Sequence, residues 1–324
     1  TAPIGASFAT DTQWLVPMCV RVGRGDTTST ECHLLDHAES TITLAGDTCP
    51  DYVHPNADGA GYYRFRLDAE AQNALNTAFV KLNAFEQRVL ADSVGAAFDA
   101  GTMTVAQYLD AAPRFAKATH GDVITAPLGD LEWIKERVAT SAQQERIDTM
   151  LRDIWGAQLK TLGVDHRDGD SEATKSLRVD LINTLSEHGR PQWLVDDLAA
   201  RGRKIIGSGD DAKLDVDAVH RDLLGASLRT VARVDGTPAF DLIERHLATN
   251  EDSVIRGALM GALGNTRDPA LLQRALKLGL GPSVKSGEMI RLYFGATEQP
   301  ENHAAIWAFV QQQYDALLNK LPSV

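Results

Sequence analysis

Apolar residues recur every three to four positions between residues 254 and 280, and this spacing predicts two short helices packed against each other. The first stripe ends before Gly264, a residue that is common at helix C-termini. The second stripe follows Asp268, which can cap a helix, and Pro269, which fits the first helical position. The stretch therefore predicts a helical hairpin.

This hairpin repeats along the chain at a step of 31 residues. The matching positions are three prolines and two sets of apolar residues: Pro238, Pro269 and Pro300; Leu228, Leu259 and Ile290; Leu247, Leu278 and Phe309. A single hairpin cannot bury both of its apolar stripes, so repeated hairpins stack on each other. The pattern predicts a mainly α fold, an α-α superhelix of HEAT/ARM-like helical pairs.

The first 67 residues have the two-residue period of β-strands instead. Alternation is clear over residues 13–22, near Ile42 and Leu44, and over residues 62–67. About five to seven such strands form a small antiparallel β-sandwich. At Asp68, a plausible N-cap, the period becomes helical. We therefore predict a β-sandwich domain over 1–67 and a helical-repeat domain over 68–324.

Composition excludes some classes of function without selecting one. The net charge is −12, from 32 basic and 44 acidic residues, which argues against non-specific nucleic-acid binding. No apolar run approaches the roughly 20 residues of a membrane span. The chain begins with Thr1 upstream of a strand-like segment, so we expect it to be part of a longer polypeptide.

Cysteine and histidine patterns offer little metal chemistry. The chain has three cysteines: Cys19, Cys32 and Cys49. This odd number predicts no disulfide framework beyond one incidental pair, and the spacing matches no zinc pattern. His33 and His37 stand four apart, as zinc-binding histidines do on a helix, but Asp36 occupies the wrong place for the catalytic glutamate. Their surroundings resemble strand and loop, where residues four apart lie about 13 Å apart. Surface histidines are favoured over a metal site.

Three arginines near the starts of repeat helices are candidate binding residues. Arg291 lies in a segment that is apolar on every side, so its charge requires a partner or a water-filled groove. One interpretation is an ion pair with a neighbouring helix. The other is a cavity where a peptide carboxylate or carbonyl binds. Arg256 and Arg178 are weaker candidates for the same role.

The order of several short segments resembles the C-terminal region of aminopeptidase N-like zinc metallopeptidases. They are Trp14-Leu-Val-Pro17, Gly61-Tyr-Tyr-Arg64, Arg88-Val-Leu-Ala-Asp92, Ala97-Phe98, Ala100-Gly101, Leu162-Gly163, Leu177-Arg178, Ala262-Leu-Gly264, Asp268, Leu271-Leu272 and Trp307-Ala-Phe309. The resemblance covers nearly the whole chain. Two departures are the longer loop between Asn56 and Gly61, and Tyr314 where the family commonly has tryptophan.

The resemblance implies a zinc enzyme whose reactive centre lies outside this chain. The family's His-Glu-x-x-His and Gly-x-Met-Glu-Asn motifs precede this region, and neither occurs in the 324 residues. It thus implies zinc in a separate N-terminal catalytic domain of the same polypeptide, no catalytic or metal residue here, and no cofactor in this chain. This region would roof the active-site chamber and contact the peptide substrate.

Two other hypotheses remain. The repeat period is also typical of a stand-alone helical-repeat scaffold for protein interactions. A self-contained metal hydrolase built on His33 and His37 is the third hypothesis, and the strand-like surroundings disfavour it.

Overall fold

A computed structural model describes residues 14–321, which belong to two compact units. The first unit comprises Thr1–Leu162 and His166–Leu181, and the second comprises Gly163–Asp165 and Ile182–Val324. The first unit holds both the sheet and the early helices. The predicted boundary between a strand domain over 1–67 and a helical domain over 68–324 stays a prediction.

Within residues 14–321, the sheet has three antiparallel strands in the order β2-β1-β3. The strands are β1 (Val16–Arg24), β2 (Thr27–Leu35) and β3 (Tyr52–His54). Gly25, with φ of 56°, makes the tight turn between β1 and β2 at a backbone conformation that favours glycine. Cys19 lies directly opposite Cys32 across this hairpin, and the two form a disulfide. Cys49 is a free, exposed cysteine.

The predicted antiparallel sheet is confirmed, but it is smaller than the expected sandwich. Within residues 14–321, the segments near Ile42 and over 62–67 form no strand. The second segment pairs with side chains and loops instead: Tyr63 donates its hydroxyl to the Pro55 carbonyl at 2.7 Å, and the Phe65 amide donates to Ser93 Oγ at 3.3 Å. The alternation in this segment reflects contact of one side with the helix Ala84–Asp99 rather than pairing with another strand.

One buried carboxylate joins the sheet to the helices of the first unit. Glu86, only 2% exposed, accepts hydrogen bonds from Arg21 Nε of β1 at 2.8 Å and from the amides of Asp58 and Asn83 at 3.1 and 3.2 Å. Its own carbonyl lies 3.0 Å from His54 Nε2 of β3. Buried charges are tolerated when they are paired in this way.

Seven helices follow in the first unit, and an eighth crosses into the second. They are α1 (Ala69–Thr77), α2 (Ala84–Asp99), α3 (Val105–Ala111), α4 (Gly121–Thr125), α5 (Leu128–Arg137), α6 (Ser141–Met150), α7 (Gly156–Leu162) and α8 (Glu172–Glu187). The predicted N-cap is confirmed, because the Asp68 carboxylate accepts from the Ala71 amide at 2.8 Å.

The second unit contains the predicted hairpins. Its helices are α9 (Gln192–Ile206), α10 (Arg221–Asp235), α11 (Thr237–Thr249), α12 (Ser253–Gly264), α13 (Pro269–Leu280), α14 (Met289–Thr297), α15 (His303–Gln312) and α16 (Tyr314–Lys320). Helix α10 packs against α9 and α12, and α12 packs against α14, so successive first helices are neighbours. Pro238 and Pro269 lie in the first turns of α11 and α13, while Pro300 begins a short 3-10 turn before α15.

The third repeat departs from the predicted register. Leu228 and Leu259 are fully buried, as predicted, but Ile290 is 48% exposed. Met289 and Leu292 fill the core from α14 instead. The close approach of α14 to α12 accounts for the shift, because a Cβ on Gly264 would collide with the Leu292 carbonyl oxygen.

Candidate peptide-contact surface on helices α12 and α14

Arg291 presents a free cation on helix α14. The residue is exposed, and among residues 14–321 its guanidinium has no hydrogen-bond or ion-pair partner. The guanidinium lies over Gly257 of α12, where an added Cβ would collide with Nη1 of Arg291. The glycine therefore makes the room in which the Arg291 side chain lies.

Exposed apolar side chains lie on the same two helices as Arg291 and Gly257. Phe294 and Val254 are both exposed, and they belong to α14 and α12 respectively. Gly261 stands one turn after Gly257, and a Cβ at Gly261 would meet only open space. We call Val254, Gly257, Gly261, Arg291 and Phe294 the α12–α14 face. It combines an available cation, exposed apolar groups and a backbone that a ligand could approach closely.

Arg256, the neighbour of Gly257 in sequence, is used within the protein. It is 4% exposed, and its Nε and Nη2 each donate to the Glu288 carboxylate at 2.7 Å. Its remaining donors bind the carbonyls of Leu247, Asn250 and Ser283 at 2.7, 2.9 and 2.7 Å. The ion pair that was one interpretation of Arg291 is thus found at Arg256.

Electrostatics agree with this assignment. The hydrogen bond from Arg256 is the main cause that lowers the pKa of Glu288 to about 2, and the Lys285 amide adds to it. The same pair raises the pKa of Arg256. Glu288 precedes Arg291 by one helical turn, so the nearest carboxylate on α14 is already engaged. Substrate contact by Arg256 stays a prediction, but its geometry favours a structural role.

Arg178 belongs to the first unit and is buried in α8, with 1% of its surface exposed. Its Nη2 donates to Asp170 Oδ2 at 2.7 Å. The Arg167 amide, followed by Arg178, lowers the pKa of Asp170. Arg178 therefore binds the loop that precedes α8 and holds it against this helix. Substrate contact by Arg178 also stays a prediction.

Sequence reasoning proposed Arg291 as a candidate but missed the two glycines of α12 on the same face. Gly257 and Gly261, four residues apart in an otherwise good helix, were the available signal, because glycine inside a helix costs about 1 kcal/mol unless it serves packing or access. The ion pair of Arg256 with Glu288, 32 residues away, had no signal except the repeat step.

His33 and His37 do not form a zinc centre of the family's kind. His33 lies in β2 and His37 in the loop after it, as predicted, and His37 Nδ1 is 2.6 Å from its neighbour Asp36. Within residues 14–321, neither histidine belongs to a group of three potential ligands close enough for one ion. A strand also directs alternate side chains to opposite faces, unlike the helical zinc motif.

None of the helices in residues 14–321 combines the length and hydrophobicity required to span a lipid bilayer. The described fold is a helical-repeat region that follows a small antiparallel sheet, with exposed cationic and apolar groups on one pair of repeat helices.

This chain belongs to the ERAP1-like C-terminal domain family, whose sequence model matches residues 52–324. A puromycin-sensitive aminopeptidase from Caenorhabditis elegans is 22% identical over 330 residues, which cover 98% of this chain and 33% of that protein. The chain therefore spans about a third of the length of this relative. The resemblance to the C-terminal region of aminopeptidase N-like enzymes is confirmed.

Proposed function

We propose that this chain is the non-catalytic C-terminal portion of a zinc metallo-aminopeptidase. It would roof the active-site chamber and contact the peptide substrate, while the whole enzyme removes N-terminal residues from peptides. Family membership and the name of the C. elegans relative support this role. The zinc-binding motif is missing from these 324 residues, so the metal and its N-terminal catalytic domain would lie elsewhere in the same polypeptide.

The observation that carries the substrate contact is the free guanidinium of Arg291 on the α12–α14 face. A peptide carboxylate or carbonyl can accept hydrogen bonds from it, and charge-assisted hydrogen bonds contribute about 1.5–3 kcal/mol each. Phe294 and Val254 can cover an apolar side chain of the peptide. Gly261 leaves the helix surface open to the peptide backbone.

Peptide binding to this chain tests the contact directly. Fluorescence anisotropy with a labelled peptide should give an affinity that falls at least about tenfold in Arg291→Gln, which corresponds to the loss of one charge-assisted hydrogen bond. Arg291→Lys should fall in between, because lysine keeps the charge without the planar fork. Arg245→Gln removes the same charge from another exposed arginine of the second unit and should leave binding unchanged. Equal affinities for Arg291→Gln and the parent chain would refute the contact.

Hydrolysis assays test whether this chain is non-catalytic by itself. The purified chain with zinc and an aminoacyl chromogenic substrate should show no turnover, because the family's zinc-binding motif is missing from the chain. Zinc-dependent turnover would refute the non-catalytic role.

A second candidate, a stand-alone helical-repeat interaction scaffold, is supported by the stacked hairpins of the second unit. The upstream coding sequence separates the two. A His-Glu-x-x-His motif in frame within a few hundred residues supports the aminopeptidase, and a stop codon supports the scaffold.

A further inference from the structure

A cavity of about 360 Å³ lies within the first unit. The segment 65–69 and helices α1, α2 and α3 surround it, and Arg114 lies in the 3-10 turn Ala112–Lys117 that follows α3. This volume is within the range of small-molecule sites.

Arg114 brings an uncompensated positive charge to this cavity. Its Nη1 is inaccessible to solvent, and the guanidinium has no hydrogen-bond or ion-pair partner among residues 14–321. Burial alone lowers the pKa of Arg114, which reflects the missing counter-charge. Arg114 as a whole is half-buried, and an unpaired charge that is partly removed from water is costly to a fold. Such a group calls for a ligand or solvent that supplies the missing acceptor.

The acidic residues of the cavity are already engaged with other partners. Asp110 forms an ion pair with Arg146 at 2.6 Å, and Asp68 accepts from the Ala71 amide as the cap of α1. Arg66, exposed at the same cavity, adds a second cation. The cavity therefore offers donors for an anion and leaves Arg114 without a carboxylate from the protein.

Several apolar residues also line the cavity, and they favour a ligand with an aliphatic part over an inorganic ion. Leu67, Val94, Ala97 and Met103 contribute apolar surface between α2 and the turn before α3. Apolar contacts of this kind favour aliphatic groups by about 25 cal/mol per Å² of surface removed from water.

We propose that this cavity binds a small organic carboxylate with a short aliphatic body, whose carboxylate pairs with Arg114. The guanidinium can donate two parallel hydrogen bonds to a carboxylate, and the aliphatic part contacts Val94 and Met103. Arg66 strengthens the attraction for an anion from the rim. This binding site is independent of the proposed peptide contact on the second unit.

Calorimetric titration of the full chain with matched probes tests this site. N-acetyl-L-leucine should bind one to one, and N-acetyl-L-leucinamide, which has no negative charge, should bind at least about tenfold more weakly. Arg114→Gln should weaken N-acetyl-L-leucine by at least about tenfold, since it removes a charge-assisted pair. Arg114→Lys should retain part of the affinity. Arg137→Gln, an exposed arginine of the same unit outside the cavity, should bind like the parent chain.

We expect Arg114→Gln to fold, so a loss of binding in this variant would not result from misfolding. Because Arg114 has no partner to lose, Arg114→Gln should melt at the parent temperature or higher, as circular dichroism can show. No binding of N-acetyl-L-leucine at about 10 mM would overturn the proposal, as would equal binding of the acid and the amide. Inorganic phosphate that competes as well as N-acetyl-L-leucine would overturn the assignment to a carboxylate.

Discussion

Arginine side chains with similar sequence surroundings take different roles in this protein. Arg256 connects three parts of the second unit, because it binds the end of α11, the loop before α12 and the start of α14. Arg291 has an exposed and available guanidinium. Arg114 lines a cavity without a protein partner. Among residues 14–321, only Arg256 of these three forms an ion pair with a carboxylate.

Removal of the Arg256 guanidinium should destabilise the fold strongly. Arg256→Gln leaves Glu288 partly buried without its counter-ion, and breaking a buried pair costs about 3–5 kcal/mol. Urea unfolding should show this as a lower midpoint with a similar slope.

Arg203→Gln is the matched control, because Arg203 pairs with Asp235 at 2.6 Å while half exposed. Exposed pairs contribute about 0–1 kcal/mol, so this variant should unfold close to the parent chain. Equal unfolding midpoints for the two variants would contradict the structural role of Arg256.

The pair also predicts a dependence of stability on pH. The pKa of Glu288 is lowered from 4.5 to about 2, so folding favours its ionised form. This contribution is fully present above pH 4.5 and is lost as the pH falls from 4.5 towards 2. Melting temperatures of the parent chain and of Glu288→Gln should therefore converge over this range. A constant difference between them would contradict the lowered pKa.

At the scale of elements, helices α12 and α14 pack closely because glycine occupies their contact. Gly264→Ala should destabilise the second unit, since the added Cβ would collide with the Leu292 carbonyl oxygen and approach the Ala296 amide to 3.0 Å. Backbone atoms cannot move aside as a flexible side chain can, so we expect a loss of about 1–3 kcal/mol in urea unfolding.

Gly261→Ala, three residues earlier in the same helix, provides the control. Its Cβ would meet no atom within 4 Å, so the higher helix propensity of alanine should stabilise α12 by up to about 1 kcal/mol. A loss of stability in Gly264→Ala together with a gain in Gly261→Ala would place the close contact between α12 and α14 at Gly264. A stabilising Gly264→Ala would contradict it.

The same contact explains which elements the sequence could predict. The hairpin of α12 and α13 was predicted closely, since Asp268 and Pro269 are local signals for a helix start. Gly264 is the last helical residue of α12 and has no positive φ, so it serves the contact with α14 rather than a left-handed cap. The buried face of α14 was wrong at Ile290, because that face depends on how closely α14 approaches Gly264. Hydrophobic periodicity predicts the presence of a helix more reliably than it predicts which face of that helix is buried against its neighbour.

At the scale of the whole molecule, the cysteines give a prediction that concerns the intact chain. Cys19 and Cys32 are bonded and Cys49 is free and exposed, so the oxidised native protein should react with a thiol reagent at one site. After reduction and denaturation, all three cysteines of the sequence should react. Three reactive thiols in protein purified without reductant would show that the bridge had not formed, as happens in reducing compartments.

The class of the molecule could be predicted from sequence, and its sheet and candidate sites only in part. The ordered segments and the 31-residue step pointed to the family and to stacked hairpins, because both are repeated local signals. The strands predicted at 62–67 were wrong, since alternation also arises where a loop packs one face on a helix. The Arg114 cavity had no sequence signal, because it depends on which partners the surrounding side chains reach in the folded chain.

The bridge across the first hairpin has a consequence for proteolysis. The exposed turn at Gly25 and Asp26 lies between Cys19 and Cys32 in sequence. A protease that cuts this turn would therefore leave both fragments covalently joined. The nicked molecule would migrate as a single species on a non-reducing gel and would separate into two pieces only after its cystine is reduced.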